Sequence, residues 1–347
     1  MKKKLLEVYI PVCLILSLIA IAIGGCAAPA PAPAPAPVPK TYEWKLGQPA
    51  TEPSLQFDRC EELVRRIEAA SDGRIKITHY PGDLLGDYVK QQEAVAAGQQ
   101  ELCIGWLSTK VAGPAADIRA VGFLYDSLDN YAKGFQTWQT DLMQQECEKV
   151  IDWKFLGDYP NAMTCTLSNK KFEPVPGPKN MQLRVFSLRT VQLRFEALGF
   201  NTVTIAYPEV PTSLKLGTVD GTGAASWFEA WNRYRDVIKY AYDLGSQATG
   251  ASLLMNGTLF NSLSQEDQDM LVRVCKEWTA ENYPLVIAKN EDYQKQLADF
   301  GVEIIRLTDE QRKACAKAAR AAEWPVLEES LGKEVFDVIR AQAFTVD

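Results

Sequence analysis

MQLRVFSLRTVQLRFEALGFNTVTIAYPEVPTSLKLGTVDG, residues 181–221, is the stretch on which the fold turns. Met181, Leu183 and Val185 alternate, so 181–186 reads as a strand, and Val191, Phe195 and Leu198 then recur at helical spacing over 187–198. A strand over 202–206, a helix over 209–216 and a strand over 218–222 complete a β-α-β-α-β run. Outward toward the N-terminus, Pro174-Val-Pro-Gly-Pro178 breaks the chain, and a similar pattern lies upstream. Tyr42, Trp44 and Leu46 alternate in a strand over 42–47. A helix follows from Ser54 to Ser71, carrying Cys60, Leu63, Val64 and Ile67 on one face. A strand holding Ile75 and Ile77 stops at Pro81-Gly82, a helix covers 87–97, and a strand covers 101–106. Helical spacing then runs over 129–149, before strands over 151–157 and 162–168. Toward the C-terminus, strands are expected near 235–242 and 251–256. Ser264 and Asp267 cap a helical pattern reaching residue 299 with Pro284 inside it, and Thr308 and Gln311 cap one more helix. The fold class is α/β with parallel sheets in two lobes, and the long helix is expected to cross both.

The chain has 347 residues, 47% of them apolar and 23% charged, which is the composition of a globular body. Its formal net charge of −7 argues against a nucleic-acid surface, which needs a basic stripe. A single histidine, His79, excludes HExxH zinc hydrolysis and histidine-rich metal centres, and it reads as a satisfied strand-end side chain. No GxxxxGK[ST] phosphate loop is present. Gly221-Thr-Gly-Ala-Ala-Ser226 imitates half a dinucleotide fingerprint but lacks its third glycine, and reads as a strand–helix turn. Cys60, Cys103, Cys147, Cys165, Cys275 and Cys315 are far apart and form no CxxC pair, so they are read as buried hydrophobes or as one or two disulfides. No cofactor and no metal are expected.

The N-terminus reads as an address. Lys2, Lys3 and Lys4 precede an apolar run from Val8 to Ile23, shorter than the roughly 20 residues a membrane span needs. Ile23-Gly24-Gly25-Cys26 resembles a bacterial lipobox, which implies a lipoprotein signal peptide at 1–25 and lipidation of Cys26. Ala and Pro then alternate up to Pro39. Proline forbids helix there, so 26–40 reads as a stiff tether of about 3 Å per residue. The expected location is extracytoplasmic, periplasmic or cell-surface, with the body anchored to the membrane by lipid.

Several segments together carry a resemblance: Ser71-Asp-Gly-Arg-Ile-Lys-Ile77 with Tyr80-Pro81 and Leu85-Gly86; Val121-Gly-Phe-Leu124; Lys179-Asn-Met-Gln-Leu-Arg184; Ala197-Leu-Gly199; Tyr207-Pro-Glu-Val210; and Leu216-Gly-Thr-Val-Asp-Gly221. In this order and spacing the chain resembles the substrate-binding subunits of tripartite ATP-independent periplasmic (TRAP) transporters, over residues 42–340. The resemblance implies a two-lobed periplasmic binding protein with a hinge. It places 41–161 and 250–289 in lobe I and 162–249 and 290–347 in lobe II. It also implies closure on an organic acid and delivery to TRAP permease membrane subunits, without catalysis.

It further implies that Arg184 binds the ligand carboxylate, a task that suits the planar guanidinium fork. Counting without gaps from Arg184 reaches Thr164, where many members carry a second arginine, and Ala224, where many carry an asparagine. Tyr207 takes the place of an aromatic that packs on the ligand, and Trp106 matches a cleft-facing position. Trp227 and Tyr88 are expected to add pocket wall, while Phe228 and Trp231 read as core. Ser187 and Gln48 are placed to add hydrogen bonds. With two polar clamps missing and aromatics present, the expected ligand is a monocarboxylate with an apolar or aromatic body. An insertion in the gapless count would instead let Lys170 or Arg189 supply a second cation. Two other classes stay open: a sensory module presenting the same acid to a receptor, and a hydrolase using a carboxylate pair.

Overall fold

The computed structural model describes residues 40–346 apart from residues 175, 176 and 179. The signal segment 1–25, Cys26 and the Ala/Pro run through residue 39 lie outside the described residues.

Strand β1 (Tyr42–Gly47) buries Trp44 and Leu46 and exposes Glu43 and Lys45, because successive strand side chains leave on opposite faces. It pairs in parallel with β2 (Ile75–Tyr80) on one side and β3 (Leu102–Gly105) on the other. The helix Leu55–Ala70 connects β1 to β2. Ser54 Oγ caps it by accepting from the Phe57 amide at 3.2 Å, and Cys60, Leu63 and Ile67 pack into the core beside the sheet.

The expected all-parallel sheet is corrected at β10 (Ala248–Asn256). That strand inserts antiparallel between β3 and β4 (Trp153–Met163), giving the order β2-β1-β3-β10-β4. The strands expected at 151–157 and 162–168 are also corrected. β4 is a single strand of 11 residues, and β5 (Cys165–Ser168) begins after Thr164. Asp158-Tyr-Pro-Asn161 reads as a turn in sequence, yet Pro160 is tolerated because β4 is the sheet edge, where a missing N–H breaks no ladder.

The second sheet runs β11-β9-β5-β8-β6-β7. Here β6 (Gln182–Val185) lies parallel to β7 (Asn201–Thr204) and to β8 (Gly221–Ala225), β5 is antiparallel to β8 and β9 (Tyr240–Asp243), and β9 is parallel to β11 (Glu303–Arg306). β8 starts three residues later than the strand expected at 218–222. β9 is shorter than the strand expected near 235–242, because the helical segment ending at Tyr234 passes through turns over residues 235–239 before the strand begins. Ser226 Oγ accepts from the Glu229 amide (3.2 Å) while Glu229 Oε2 accepts from the Ser226 amide (2.8 Å), and this capping box starts a turn over Trp227–Glu229 that widens into a π turn over Ala230–Tyr234. β11 and the terminal helix Lys333–Ala341 had no counterpart in the sequence reading.

Three connections join the sheets. Two are chain crossings held to each other, with the Thr164 amide donating to Gln247 O (2.9 Å) and the Gly245 amide donating to Thr164 O (2.9 Å). The third is the helix Gln265–Phe300, capped by Ser264 Oγ on the Asp267 amide (3.1 Å) and interrupted only by Pro284. Its Leu271, Val274, Cys275 and Trp278 share a core with Trp44 and Leu63, while Tyr293 and Leu297 share one with Leu167 and Val210. One rigid helix therefore takes part in both cores. At Gly157 on β4 it approaches so closely that a Cβ would meet Thr279 Oγ1 at 2.5 Å.

Beside the crossings, the fully buried Arg194 and Glu323 pair at 2.6 Å. Arg194 also donates to Ala120 O (2.6 Å), and Glu323 accepts from the Gly122 amide (3.0 Å). The last helices span the same boundary: Cys315, Ala316 and Ala319 pack with Val191 and Phe195, whereas Leu327, Phe336 and Ile339 pack with Tyr131, Trp153 and Leu254. All six described cysteines are free and buried.

Candidate ligand-binding site

Arg184 lies near the C-terminal end of β6, between Val203 of β7 and Thr222 of β8. Only 7% of it is exposed. Its Nε donates to Ile205 O at 3.0 Å. Its terminal nitrogens hydrogen-bond to none of the described residues, and the side chain enters no ion pair among them. Burial pulls its pKa below the usual arginine range, and the nearby charge of Arg233 acts in the same direction. Guanidinium is too basic to lose its proton at neutral pH, so the site holds a desolvated cation outside any ion pair, its charge offset only in part by the nearby Glu229 carboxylate. Removing such a charge from water costs several kcal/mol unless an anion compensates it.

The surroundings of Arg184 come from two segments. Tyr207 follows β7 and keeps 37% of its surface exposed. Glu229, Arg233 and Tyr234 come from the turn after β8, and Glu229 and Tyr234 partly offset the effect of burial on Arg184. Arg233 is exposed and lies over the Tyr207 ring, 4.0 Å from its centroid. Tyr234 is buried, and burial pushes its hydroxyl well above the ordinary tyrosine range.

The structure brings together only some of the residues singled out from sequence. Arg184 and Tyr207 share one cluster. Trp106 and Tyr88 form an edge-to-face pair at 5.8 Å beyond the end of β3, with Gln92 Nε2 donating to Trp106 O at 2.6 Å to hold that turn. Both rings are half-buried. Ser187 is exposed and bonds to none of the described residues.

Thr164 is fully buried at the crossing, its Oγ1 hydrogen-bonded with Ser246 Oγ (3.0 Å) and donating to Gln247 O (3.2 Å). Ala224 is half-buried on β8 with φ 54°, a left-handed conformation that is uncommon for alanine. Trp227 is 2% exposed and packs with Leu167, Val210 and Leu297, so the structure puts it in core rather than in a wall. Gln48 is likewise internal: its amide nitrogen meets His79 Nε2 at 2.8 Å and its oxygen accepts from Cys60 Sγ at 3.2 Å. Phe228 and Trp231 pack against the second sheet's core as partly buried side chains. Lys170 pairs with Asp220 (2.6 Å) and Arg189 with Glu196 (3.6 Å), so both of those candidate cations already have partners.

Sequence reasoning missed Arg233, Glu229 and Tyr234. The Ser226-x-x-Glu229 pattern was available as a helix-start signal and would have moved all three onto one turn. Nothing local marks the contact between Arg233 and Tyr207. Among the described residues, no group of three or more His, Cys, Asp or Glu side chains is disposed to hold a metal ion.

Two sheets, each with its own packed elements, are joined by the two crossing chains and the one shared helix. A buried arginine outside any ion pair sits at a strand end of this frame. Residues 46–329 match the model of the bacterial extracellular solute-binding protein family 7, DctP, and the chain belongs to that family, which is one of transport solute-binding proteins and not of enzymes. The chain is 23% identical over 283 residues to a solute-binding protein of Roseobacter denitrificans, covering 79% of this chain and 85% of that one. A TRAP periplasmic solute-binding protein from Desulfovibrio salexigens, solved with bound orotic acid, superimposes with a TM-score of 0.78 at 18% identity, covering 87% of this chain and 98% of that one. Another from Sulfurospirillum deleyianum, solved with bound succinate, gives 0.74 at 17% identity, covering 87% and 99%. At these identities the structural likeness carries the fold alone.

Proposed function

We propose that this protein captures an organic acid between its lobes through Arg184 and delivers it to a TRAP-type permease. One observation carries the reading: a guanidinium 7% exposed, with a single hydrogen bond and no ion pair among the described residues. A ligand carboxylate supplies the missing partner through charge-assisted, bidentate bonds. The lobes are taken to divide near residues 161, 249 and 289, with the helix Lys333–Ala341 returning to the core of lobe I. Cys26 serves as the lipid attachment site of an extracytoplasmic anchor.

For the ligand, we favour a monocarboxylate with a flat apolar or aromatic body. Thr164 and Ala224 offer no second charge, and Lys170 and Arg189 are paired elsewhere. Tyr207, Tyr88 and Trp106 are the half-buried or part-exposed rings left to pack on such a body, with Ser187 free to hydrogen-bond its edge. Gln48 and Trp227 are left out because both are engaged internally. That a protein of the same fold was solved with bound orotic acid supports this reading, and the neighbour solved with bound succinate represents the competing class. Replacing Arg184 by Ala is expected to weaken binding by about 2–5 kcal/mol while the fold survives. Calorimetric titration with phenylacetate and succinate measures it, and an unchanged affinity overturns the assignment.

A further inference from the structure

Arg233 is the second guanidinium of the Arg184 cluster, and it too lacks a carboxylate partner. It forms no ion pair among the described residues, and its guanidinium carbon sits 4.0 Å over the Tyr207 ring. Its neighbour on the same segment behaves differently: Arg235 donates to Trp231 O at 3.1 Å and lies 3.9 Å from Asp236. The nearby carboxylate is that of Glu229, whose Oε2 already accepts from both the amide and the hydroxyl of Ser226, each at 2.8 Å. The cluster therefore holds two guanidinium charges against one fixed carboxylate. Two like charges close together in a partly desolvated place repel each other, and one added negative charge brings the group to neutrality.

We propose that Arg233 is the second carboxylate-binding residue of this site, and that it leaves the Tyr207 ring to share a single ligand carboxylate with Arg184. This rests on the assignment of Arg184 as the carboxylate partner. A carboxylate has about four lone-pair sites, enough for a fork from each guanidinium. Arg233 would give up its cation–π contact with Tyr207 and its interaction with the Tyr234 hydroxyl, and a charge-assisted bond to a carboxylate beside the buried Arg184 is the stronger of these interactions. The same movement clears the face of Tyr207, which then becomes available to the ligand's apolar body. Arg233 also sets selectivity, since a dianion would leave one negative charge without a partner.

The test is calorimetric titration of the full chain with phenylacetate and with succinate, using wild type and the variants Arg184→Lys, Arg233→Gln, Arg233→Lys, Arg184→Lys/Arg233→Gln and Arg235→Gln. Wild type is expected to bind phenylacetate more tightly than succinate. Arg233→Gln should weaken phenylacetate at least tenfold, Arg233→Lys should lose less, and Arg235→Gln should match wild type. The double variant should lose less than the product of the two single losses, because both side chains act on one carboxylate. If Arg233→Gln stays within twofold of wild type while Arg184→Lys loses affinity, the role of Arg233 is overturned and that of Arg184 stands. If the losses multiply and succinate binds more tightly, Arg233 holds a second acid group and the sharing is refuted. If Arg184→Lys binds like wild type, or wild type binds neither acid, the underlying assignment fails as well.

Discussion

At the scale of single residues, the site is defined by what Arg184 lacks. A side chain 7% exposed with one of its N–H groups bonded is far from the usual state of buried arginine, which is paired. The contrast within the molecule is Arg119, buried to 6% exposure and bonded to Tyr131 Oη (2.5 Å), Ser252 Oγ (2.9 Å) and Asp158 (2.6 Å). Arg119 is ion-paired structure, its terminal nitrogens bonded, whereas Arg184 is an open valence for an anion. The balance of charge around it should be adjustable at Glu229. Glutamine can still accept from the Ser226 amide as a capping-box residue, so Glu229→Gln should keep the turn while removing one negative charge. The expected outcome is a shift of preference toward succinate over phenylacetate by roughly tenfold, the size of one modest charge contact. Competition between the two acids reads it directly, and an unchanged ratio would place Glu229 outside the ligand's field.

At the scale of elements, the helix Gln265–Phe300 does most to fix the frame, and its seat on β4 depends on the absence of a side chain at Gly157. A Cβ there would meet Thr279 Oγ1 at 2.5 Å and Cys275 O at 3.3 Å. Thr279 cannot simply turn away, because its Oγ1 accepts from the Asp158 amide at 2.9 Å. Gly157→Val should therefore lift the helix from the sheet and destabilise the fold by about 1–3 kcal/mol or more. Urea unfolding measures the loss, and a midpoint equal to wild type would show that the contact yields freely. The helix itself was legible in sequence, since Ser264, the apolar stripe through Trp278 and Gly301 (φ 105°) are local signals. Its partner strand was not. Asp158-Tyr-Pro-Asn161 has the composition of a turn, and only the edge position of β4 makes Pro160 acceptable there.

At the scale of the whole molecule, the boundary between the two sheets is tied by the Arg194–Glu323 pair, which links helices to the chain at Ala120 and Gly122. Asp117 lies close by, 9% exposed, with its Oδ1 unpartnered. Burial raises its pKa to about 6, Glu323 adds to the rise, and Arg194 opposes it. The folded pKa is above the ordinary carboxylate value, so between about pH 4 and pH 6 the folded state binds more protons than the unfolded one. Stability contributed by this group rises as pH falls through 6 and is absent above it. The effect amounts to at most about 3 kcal/mol. Asp117→Asn should raise stability at pH 7 and flatten the pH dependence of Tm between pH 7 and 5. Thermal unfolding of both proteins across that range checks it, and parallel profiles would refute it.

The sequence by itself determined the α/β character, the punctuation of most elements, the long capped helix and the place of Arg184 on a strand. These depend on periodicity, capping residues and turn chemistry within a few positions of each other. The antiparallel return of β10, the continuity of β4, the burial of Trp227 and the meeting of Arg233 with Tyr207 were decided only by tertiary structure. Each brings together segments far apart in the chain, and their energies reside in contacts that no local pattern encodes. A strand has the same alternation whichever direction its neighbour runs, and an arginine on a polar turn has the same local signature whether it meets solvent or a ring.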